Sequence, residues 1–159
     1  VTTLHIRPAG PDDADTILRF IRELATYERE PDAVKTSADT LRAQLSEPRP
    51  PFECLLAEDA GEPVGFALFF QNYSTWRGQP GIYLEDLYVP ETLRRKGVGR
   101  ALLRAVARVA AERNAGRLEW AVLDWNRPAI DFYLSLGAKP MDEWTVFRLS
   151  DESLANLAR

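Results

Sequence analysis

Three short stretches of this chain hold the residue types from which a reaction could be built. In the first, Arg94-Arg95-Lys96-Gly97-Val98-Gly99-Arg100, cations crowd the start of a helical pattern. A helix N-terminus already carries a partial positive charge and unpaired N–H groups, so cations there are unfavourable unless an anion joins them. Glycines at 97 and 99 let a ligand approach the backbone closely, as a phosphate-cradling turn requires. These features suggest a pyrophosphate site, and a solvated basic turn accounts for the heptapeptide as well. In the second stretch, Tyr83-Leu84-Glu85-Asp86-Leu87-Tyr88-Val89, alternation puts Tyr83, Glu85, Leu87 and Val89 on one face and Ile82, Leu84, Asp86 and Tyr88 on the other. Each otherwise apolar face thus carries one acid. Such a carboxylate must be paired, protonated or solvated by a cleft; a cleft that receives a cation and a cross-strand ion pair both answer. The third stretch runs from Val122 to Tyr133. Asp124 or Asn126 can cap a helix that Pro128 begins, and the phenol of Tyr133 has a proton to give, which is useful beside a departing thiolate.

A dinucleotide-binding reading fails on position. Gly97-Val98-Gly99-Arg100-Ala101-Leu102 is one residue short of G-x-G-x-x-G, and Glu119 lies twenty residues after Gly99, where a ribose-binding acid falls. That fingerprint follows the first strand of its βαβ unit, whereas about four strands precede it here.

The elements that must position these residues follow from periodicity. A strand over Thr3–Arg7 is broken by Pro8 and Pro11, and Asp12, Asp13 and Asp15 suit the start of a helix whose Ile17, Phe20, Ile21 and Leu24 share a face. Thr36-Ser37-Ala38-Asp39 fits a capping box before a short helix with Leu41 and Leu45, ended by Pro48, Pro50 and Pro51. Strands over Phe52–Glu58 and Pro63–Gln71 flank the hairpin turn Asp59-Ala60-Gly61-Glu62. A polar, aromatic stretch from Asn72 to Gln79 leads to a strand over Ile82–Val89. A helix follows over Val98–Arg113, with Val98, Leu102, Val106, Val109 and Ala110 along one side. Leu118–Leu123 reads as a buried strand, Pro128–Leu136 as a helix and Trp144–Leu149 as a last strand. The order β-α-α-β-β-β-α-β-α-β implies an α/β sheet of mixed direction in one domain spanning 1–159.

Composition excludes several classes of chemistry. The 159 residues include one His and one Cys, too few for a structural zinc site or an internal disulfide, and a catalytic histidine triad is disfavoured because His5 is its only candidate. His5 sits in the first strand, and Cys54, between apolar neighbours, reads as buried structure rather than a nucleophile. At this length roughly 68–70% of the unfolded chain's surface can be buried, so the core needs no staple. The longest apolar run, Val64 to Phe70, is far short of a membrane span, and the N-terminus lacks a signal-peptide layout. A cytoplasmic protein that engages neither membrane nor metal is expected. With 20 Lys+Arg against 24 Asp+Glu, the net charge is −4, which favours cationic or neutral partners over nucleic acid.

Taken together, the three stretches resemble the GNAT superfamily of acyl-CoA-dependent N-acetyltransferases. Arg94, Gly97 and Gly99 meet its Q/R-x-x-G-x-G/A signature, and Asn126, Pro128, Ala129 and Tyr133 its Asn-x-Pro-Ala-x-x-x-Tyr pattern. The resemblance narrows to the diamine branch, the spermidine/spermine and thialysine acetyltransferases. It runs through Ile6-Arg7-Pro8-Ala9, Arg22-Glu23-Leu24-Ala25, Tyr27-Glu28, Tyr73-Ser74-Thr75-Trp76, Tyr83-Leu84-Glu85-Asp86 and Leu123-Asp124-Trp125-Asn126. The Ser74-Thr75-Trp76 and Ala121 to Asn126 stretches look closer to the thialysine enzymes. Two departures stand out: Arg95 replaces the usual Gly, and the loop before Trp144 is shorter.

This resemblance implies a mixed, mostly antiparallel central sheet flanked by helices, with acetyl-CoA as cosubstrate. By similarity the Leu87-Tyr88-Val89 backbone pairs with the pantetheine arm, Arg94 and the amides from Arg95 through Lys96, Gly97, Val98, Gly99 and Arg100 hold the pyrophosphate, and Asn126, Arg127, Pro128 and Ala129 border the cofactor. The Leu87 N–H polarises the thioester carbonyl, Tyr133 protonates the leaving sulfur, and Glu85 is base or anchor for the amine. Tyr27, Glu28 and Asp86 bind a small cationic acceptor, with Glu119, Trp120 and Ala121 opposite; Trp76 and Trp125 are candidates for cation–π contacts. A free amino acid or protein N-terminus as acceptor, and a non-catalytic acyl-CoA sensor, are the alternative readings. The family also implies a homodimer that uses the Trp144–Leu149 strand.

Overall fold

The computed structural model describes residues 3–159. They fall into two compact units, one running to Ala121 and the other spanning Val122–Arg159. The first unit holds a five-stranded sheet, in the spatial order β1-β2-β3-β4-β5, formed by β1 (Leu4–Pro8), β2 (Glu53–Asp59), β3 (Glu62–Ser74), β4 (Gln79–Tyr88) and β5 (Leu118–Glu119). The first three pairings are antiparallel and the last is parallel. Three helices belong to this unit: α1 (Ala14–Tyr27), α2 (Ala38–Leu45) and α3 (Val98–Glu112).

The predicted β2–β3 hairpin closes through Ala60 and Gly61, both left-handed at φ 52° and 85°, the two-residue geometry whose twist matches that of the strands it joins. Phe66 and Leu68 of β3, with Cys54 and Leu56 of β2, pack against Ile17, Phe20 and Leu24 of α1 and Leu41 of α2. The Phe20 and Phe66 rings stack with centroids 5.6 Å apart. On the other face, a Cβ added at Gly65 would meet Leu102 of α3 at 3.2 Å. Neighbouring strand residues point to opposite faces, so α1 with α2 and α3 enclose the sheet from its two sides. Arg7 fastens β1 to the turn before α1 and to β2 through Asp13 at 2.8 Å and Glu58 at 3.0 Å, and holds the Asp13 carboxyl below the usual range.

Several elements differ from the sequence-based expectation. Helix α2 opens one residue later than the Thr36–Asp39 box: Ser37 is the cap and accepts from the Thr40 N–H at 3.1 Å, while Asp39 pairs with Arg42. The polar segment from Asn72 is strand rather than connection, because Asn72, Tyr73 and Ser74 pair with Gly81, Pro80 and Gln79; ladder pairing uses the backbone, so these side chains need not be apolar. The strand expected over Leu118–Leu123 stops at Glu119, after two pairs with β4.

The second unit contains α4 (Arg127–Ser135) and α5 (Asp151–Leu157). Trp144–Leu149, expected as a strand, is not one. Its backbone groups need a ladder partner, and this unit contains no strand to supply it. Val146 and Phe147 are 85% and 92% exposed.

Candidate active site

The informative feature of β4 is an irregularity. Its register with β3 passes from Leu68↔Asp86 to Phe69↔Leu84, leaving Glu85 without a partner. Glu85 is the extra residue of a β-bulge, a device that bends a strand and re-aims side chains. Residues directly opposite in an antiparallel pair share a face, and Leu68 and Phe69, being consecutive, do not. Leu84 and Asp86 therefore lie on opposite faces, which corrects the strict alternation read from the sequence. Asp86 and Tyr88 lie on the α1 side, with Leu68 and Phe66.

The bulge also decides what β4 offers at its free edge. The Ile82 N–H donates to the Arg117 carbonyl at 3.0 Å, so the peptide groups of Ile82 face β5 and those of its partner Gln71 face away from β4. Counting back along β3 in alternation, Phe70 and Leu68 face β4, while Phe69 and Ala67 face away. Leu87 is the partner of Ala67, so its N–H and C=O point off β3, toward the β5 side, where pairing ended at Tyr83↔Glu119. From Asp86 to Tyr88, β4 pairs with β3 alone among the described strands.

Beyond β4 lies the basic loop. Gly97 caps α3 at φ 84°, with no side-chain hydrogen bond to the helix start and no acid in the first turn. Every other described α-helix has one or the other: Asp15 in α1, the Ser37 cap of α2, the Asn126 cap of α4, and Asp151 with Glu152 in α5. Arg95, Lys96 and Arg100 are exposed around that start, while Val98 turns its side chain into the core and Gly99 follows it. A Cβ at Gly97 would meet no protein atom within 4 Å, so this glycine serves the backbone's left-handed turn and an open approach. Arg95 adopts φ 66°, the left-handed conformation that a glycine would take freely. The departure from the family's Gly thus keeps the turn, at a strain of about 1–2 kcal/mol. Free N–H groups, positive end charge and cations together fit a pyrophosphate.

On the acid side, α1 ends in a Schellman motif. Arg29 is left-handed at φ 65°, and the Glu30 and Arg29 N–H groups donate to the Ala25 and Thr26 carbonyls at 2.8 and 3.1 Å. This fixes the backbone at Tyr27 and Glu28, both half-buried. Burial and the Glu85 charge raise the Glu28 carboxyl, and burial, Glu85 and Glu28 push Asp86 up to about 7. Glu28, Glu85 and Asp86 therefore form one mutually repelling group, which a cation would relieve. Burial, Glu85 and Glu119 likewise raise the Tyr83 phenol, which relates Glu119, 3.9 Å from Arg117, to the same group. Trp120 and Ala121 follow β5 outside the ladder.

Within the second unit, Asn126 is buried and accepts from the Ala129 N–H at 3.4 Å as the cap of α4, with Pro128 in the first turn. Arg127 pairs with Asp131 at 2.9 Å. Tyr133 is half-buried, and its carbonyl accepts from the Ala138 N–H at 3.2 Å after the left-handed Gly137, so the helix end pins its backbone. Cys54 lies in the core, and burial pushes its thiol up, which removes it as a thiolate nucleophile. Among the described residues, no group of three His, Cys, Asp or Glu side chains is placed to hold a metal ion, and no helix is long and apolar enough to cross a membrane.

Sequence reasoning missed three features of this site. The bulge leaves no mark in residue type. The left-handed Arg29 is hidden because glycine is the usual signal at that position. The Glu23 carboxylate, which accepts from the Tyr88 hydroxyl at 3.1 Å, is at best hinted at by its helical i,i+4 spacing to Tyr27.

Residues 17–138 match the Acetyltransferase (GNAT) family. The chain is 43% identical to a thialysine N-epsilon-acetyltransferase of Bos taurus over 96% of each chain. It is 35% identical to the spermidine/spermine N(1)-acetyltransferase-like protein 1 of Homo sapiens, over 97% of this chain and 24% of that protein. Among solved structures, an integron cassette protein from the mobile metagenome of V. cholerae superposes with a TM-score of 0.82 at 26% identity, over 100% of this chain and 99% of that one.

Proposed function

This chain belongs to the acetyltransferase (GNAT) family, and from that premise we propose that it moves an acetyl group from acetyl-CoA directly to a primary amine of a small cationic acceptor, a thialysine or lysine analogue or a polyamine. The observation that carries the choice of acceptor is the carboxylate group Glu28, Glu85 and Asp86, in which the Glu85 charge raises the Glu28 carboxyl and the Glu85 and Glu28 charges raise that of Asp86. Such a group gains most from a ligand that brings positive charge. The full-length similarity to the thialysine enzyme supports the same choice.

Acetyl-CoA supplies an activated thioester. The amides from Arg95 to Arg100 hold its pyrophosphate, and the free edge at Leu87, Tyr88 and Val89 receives the pantetheine arm as an added strand would be received. The Leu87 N–H donates to the thioester oxygen, where negative charge develops. Glu85, through water, takes the proton that the ammonium must lose before it attacks. Tyr133 gives its phenol proton to the departing sulfur. Tyr27, Glu28 and Asp86 hold the acceptor's cationic portion, Glu119, Trp120 and Ala121 flank it, and Asn126, Arg127, Pro128 and Ala129 border the cofactor.

An acceptor screen that follows thiol release from acetyl-CoA tests this reading. Turnover of thialysine, lysine or a polyamine well above that of neutral amines is expected; rejection of every cationic amine overturns it. We also propose that the protein works as a homodimer, supported by the exposed Trp144, Val146, Phe147 and Leu149. Light scattering is expected at twice the mass of one chain, and a monomer at assay concentration refutes it.

A further inference from the structure

Arg94 opens the glycine signature and is expected from the sequence to hold the cofactor, yet its side chain is engaged elsewhere. Its Nε donates to the Val89 carbonyl at 2.9 Å. The guanidinium carbon lies 4.4 Å from the centre of the Tyr27 ring and 5.8 Å from that of Tyr88. A guanidinium within about 6 Å of an aromatic face is held by the ring's quadrupole. Tyr88 in turn reaches α1 through its hydroxyl, which donates to Glu23 at 3.1 Å, and its ring lies 6.0 Å from that of Phe20. Glu23, Tyr27, Tyr88 and Arg94 line one cleft of about 390 Å³.

We propose that Arg94 is a positioning residue, stacked between the last turn of α1 and the end of β4, that sets Tyr27 and the adjoining Glu28 relative to the cofactor loop. The inference rests on the reading of Tyr27 and Glu28 as acceptor groups. The Schellman bonds run within the end of α1 itself, so they fix neither the direction of the Tyr27 ring nor how firmly this turn is held against β4. Arg94 supplies that restraint, and because it is also the first residue of the pyrophosphate loop, a displacement of the loop is felt at the acceptor end of α1. A direct phosphate ligand would instead present its fork to solvent, as the exposed Arg95, Lys96 and Arg100 can. In Arg94 one nitrogen is committed to a carbonyl and the flat face to a ring.

Two variants separate these roles. Arg94→Met keeps the apolar stem without charge or fork, and Arg94→Lys keeps a cation without the planar stack. Arg94→Met is expected to raise the KM for the amine about fivefold, as the loss of a partly buried cation–π contact implies, with the calorimetric Kd for acetyl-CoA changed less than about twofold. Arg94→Lys should restore part of the amine KM. Tyr27→Leu should give a similar rise in KM, and the double variant should be no worse than the poorer single one. A tenfold or larger loss of acetyl-CoA affinity in Arg94→Met, or effects of Arg94 and Tyr27 that multiply, overturns the proposal. Hydrogen exchange without any substrate gives a second readout: the Glu28, Arg29 and Glu30 amides, which close α1, should exchange faster in Arg94→Met. Unchanged exchange also overturns the proposal. Faster exchange in a protein that acetylates no cationic amine sinks the acceptor reading and leaves the Arg94 strut standing.

Discussion

The two ends of β4 meet their surroundings on different terms. From Gln79 to Tyr83 the strand lies between β3 and the β5 side, where Pro80 and Ile82 exchange backbone hydrogen bonds with Gly116 and Arg117, and Ile82 is fully buried. From Glu85 to Tyr88 it carries two carboxylates, pairs from Asp86 onward with β3 alone, and aims the Leu87 peptide at an edge with no described strand beside it. One inserted residue, Glu85, separates the two regimes. The paired end is built for stability, and the open end keeps backbone donors and acid groups available for something other than the fold. The sharpest way to probe this contrast is to make one substitution at both ends.

Proline removes an N–H, so its cost reports what that N–H was used for. At Ile82 the loss takes away the bond to Arg117 and leaves a carbonyl unpaired beside a buried side chain. Ile82→Pro is therefore expected to cost several kcal/mol, of the order found for broken sheet ladders and orphaned buried groups, and to lower soluble yield. At Leu87 the N–H points off the sheet. Leu87→Pro should fold, with a melting temperature within a few degrees of the parent, while kcat falls about 10²–10³-fold, as when an oxyanion donor is removed. Circular dichroism melting with steady-state assays distinguishes the two. If Leu87→Pro unfolds the chain as Ile82→Pro does, the register derived for the open edge is wrong; if it folds and turns over normally, Leu87 is not the donor.

Much of this arrangement was legible in residue types, and the parts that were not share a cause. Gly61 and Gly97 announced their turns because only glycine adopts positive φ without strain, and Asn126-Arg127-Pro128 announced the start of α4 because capping oxygen and proline are chemically specific. The basic loop was legible for the same reason. By contrast, the bulge at Glu85 changes which face Leu84 and Asp86 occupy without changing any residue's character, so a period-two reading passes over it. Leu118–Leu123 and Trp144–Leu149 have strand composition, but strand is a property of a pair. Pairing on β5 ended with Glu119, and the second unit has no strand to serve the later segment. The role of Arg94 lay beyond the signature that contains it, because a motif names a residue and says nothing of where its side chain is spent.

The contrast between the two ends can also be sharpened by pH, with a smaller effect. Asp86 is pushed from an ordinary 3.8 up to about 7, first by burial and then by Glu85 and Glu28. The folded state therefore holds a proton between about pH 4 and pH 7 that the unfolded chain has released, and stability falls as pH rises across that window. Asp86→Asn keeps the shape and removes the charge. Its melting temperature should match the parent's near pH 4 and exceed it by a growing margin up to about pH 7, beyond which the margin is constant. Asp86 retains some solvent access, and after screening the margin amounts to about 1–2 kcal/mol, or roughly 3–6 °C for a chain of this size. Melting curves at pH 5 and pH 8 are sufficient. A margin equal at both values would mean that Asp86 is ionised throughout and neutralised by a partner. A margin that opens with pH locates the strain in the carboxylates of the open end, and a saturating cationic amine should then stabilise the parent more at pH 8 than at pH 5, because only the ionised group has that charge to offer.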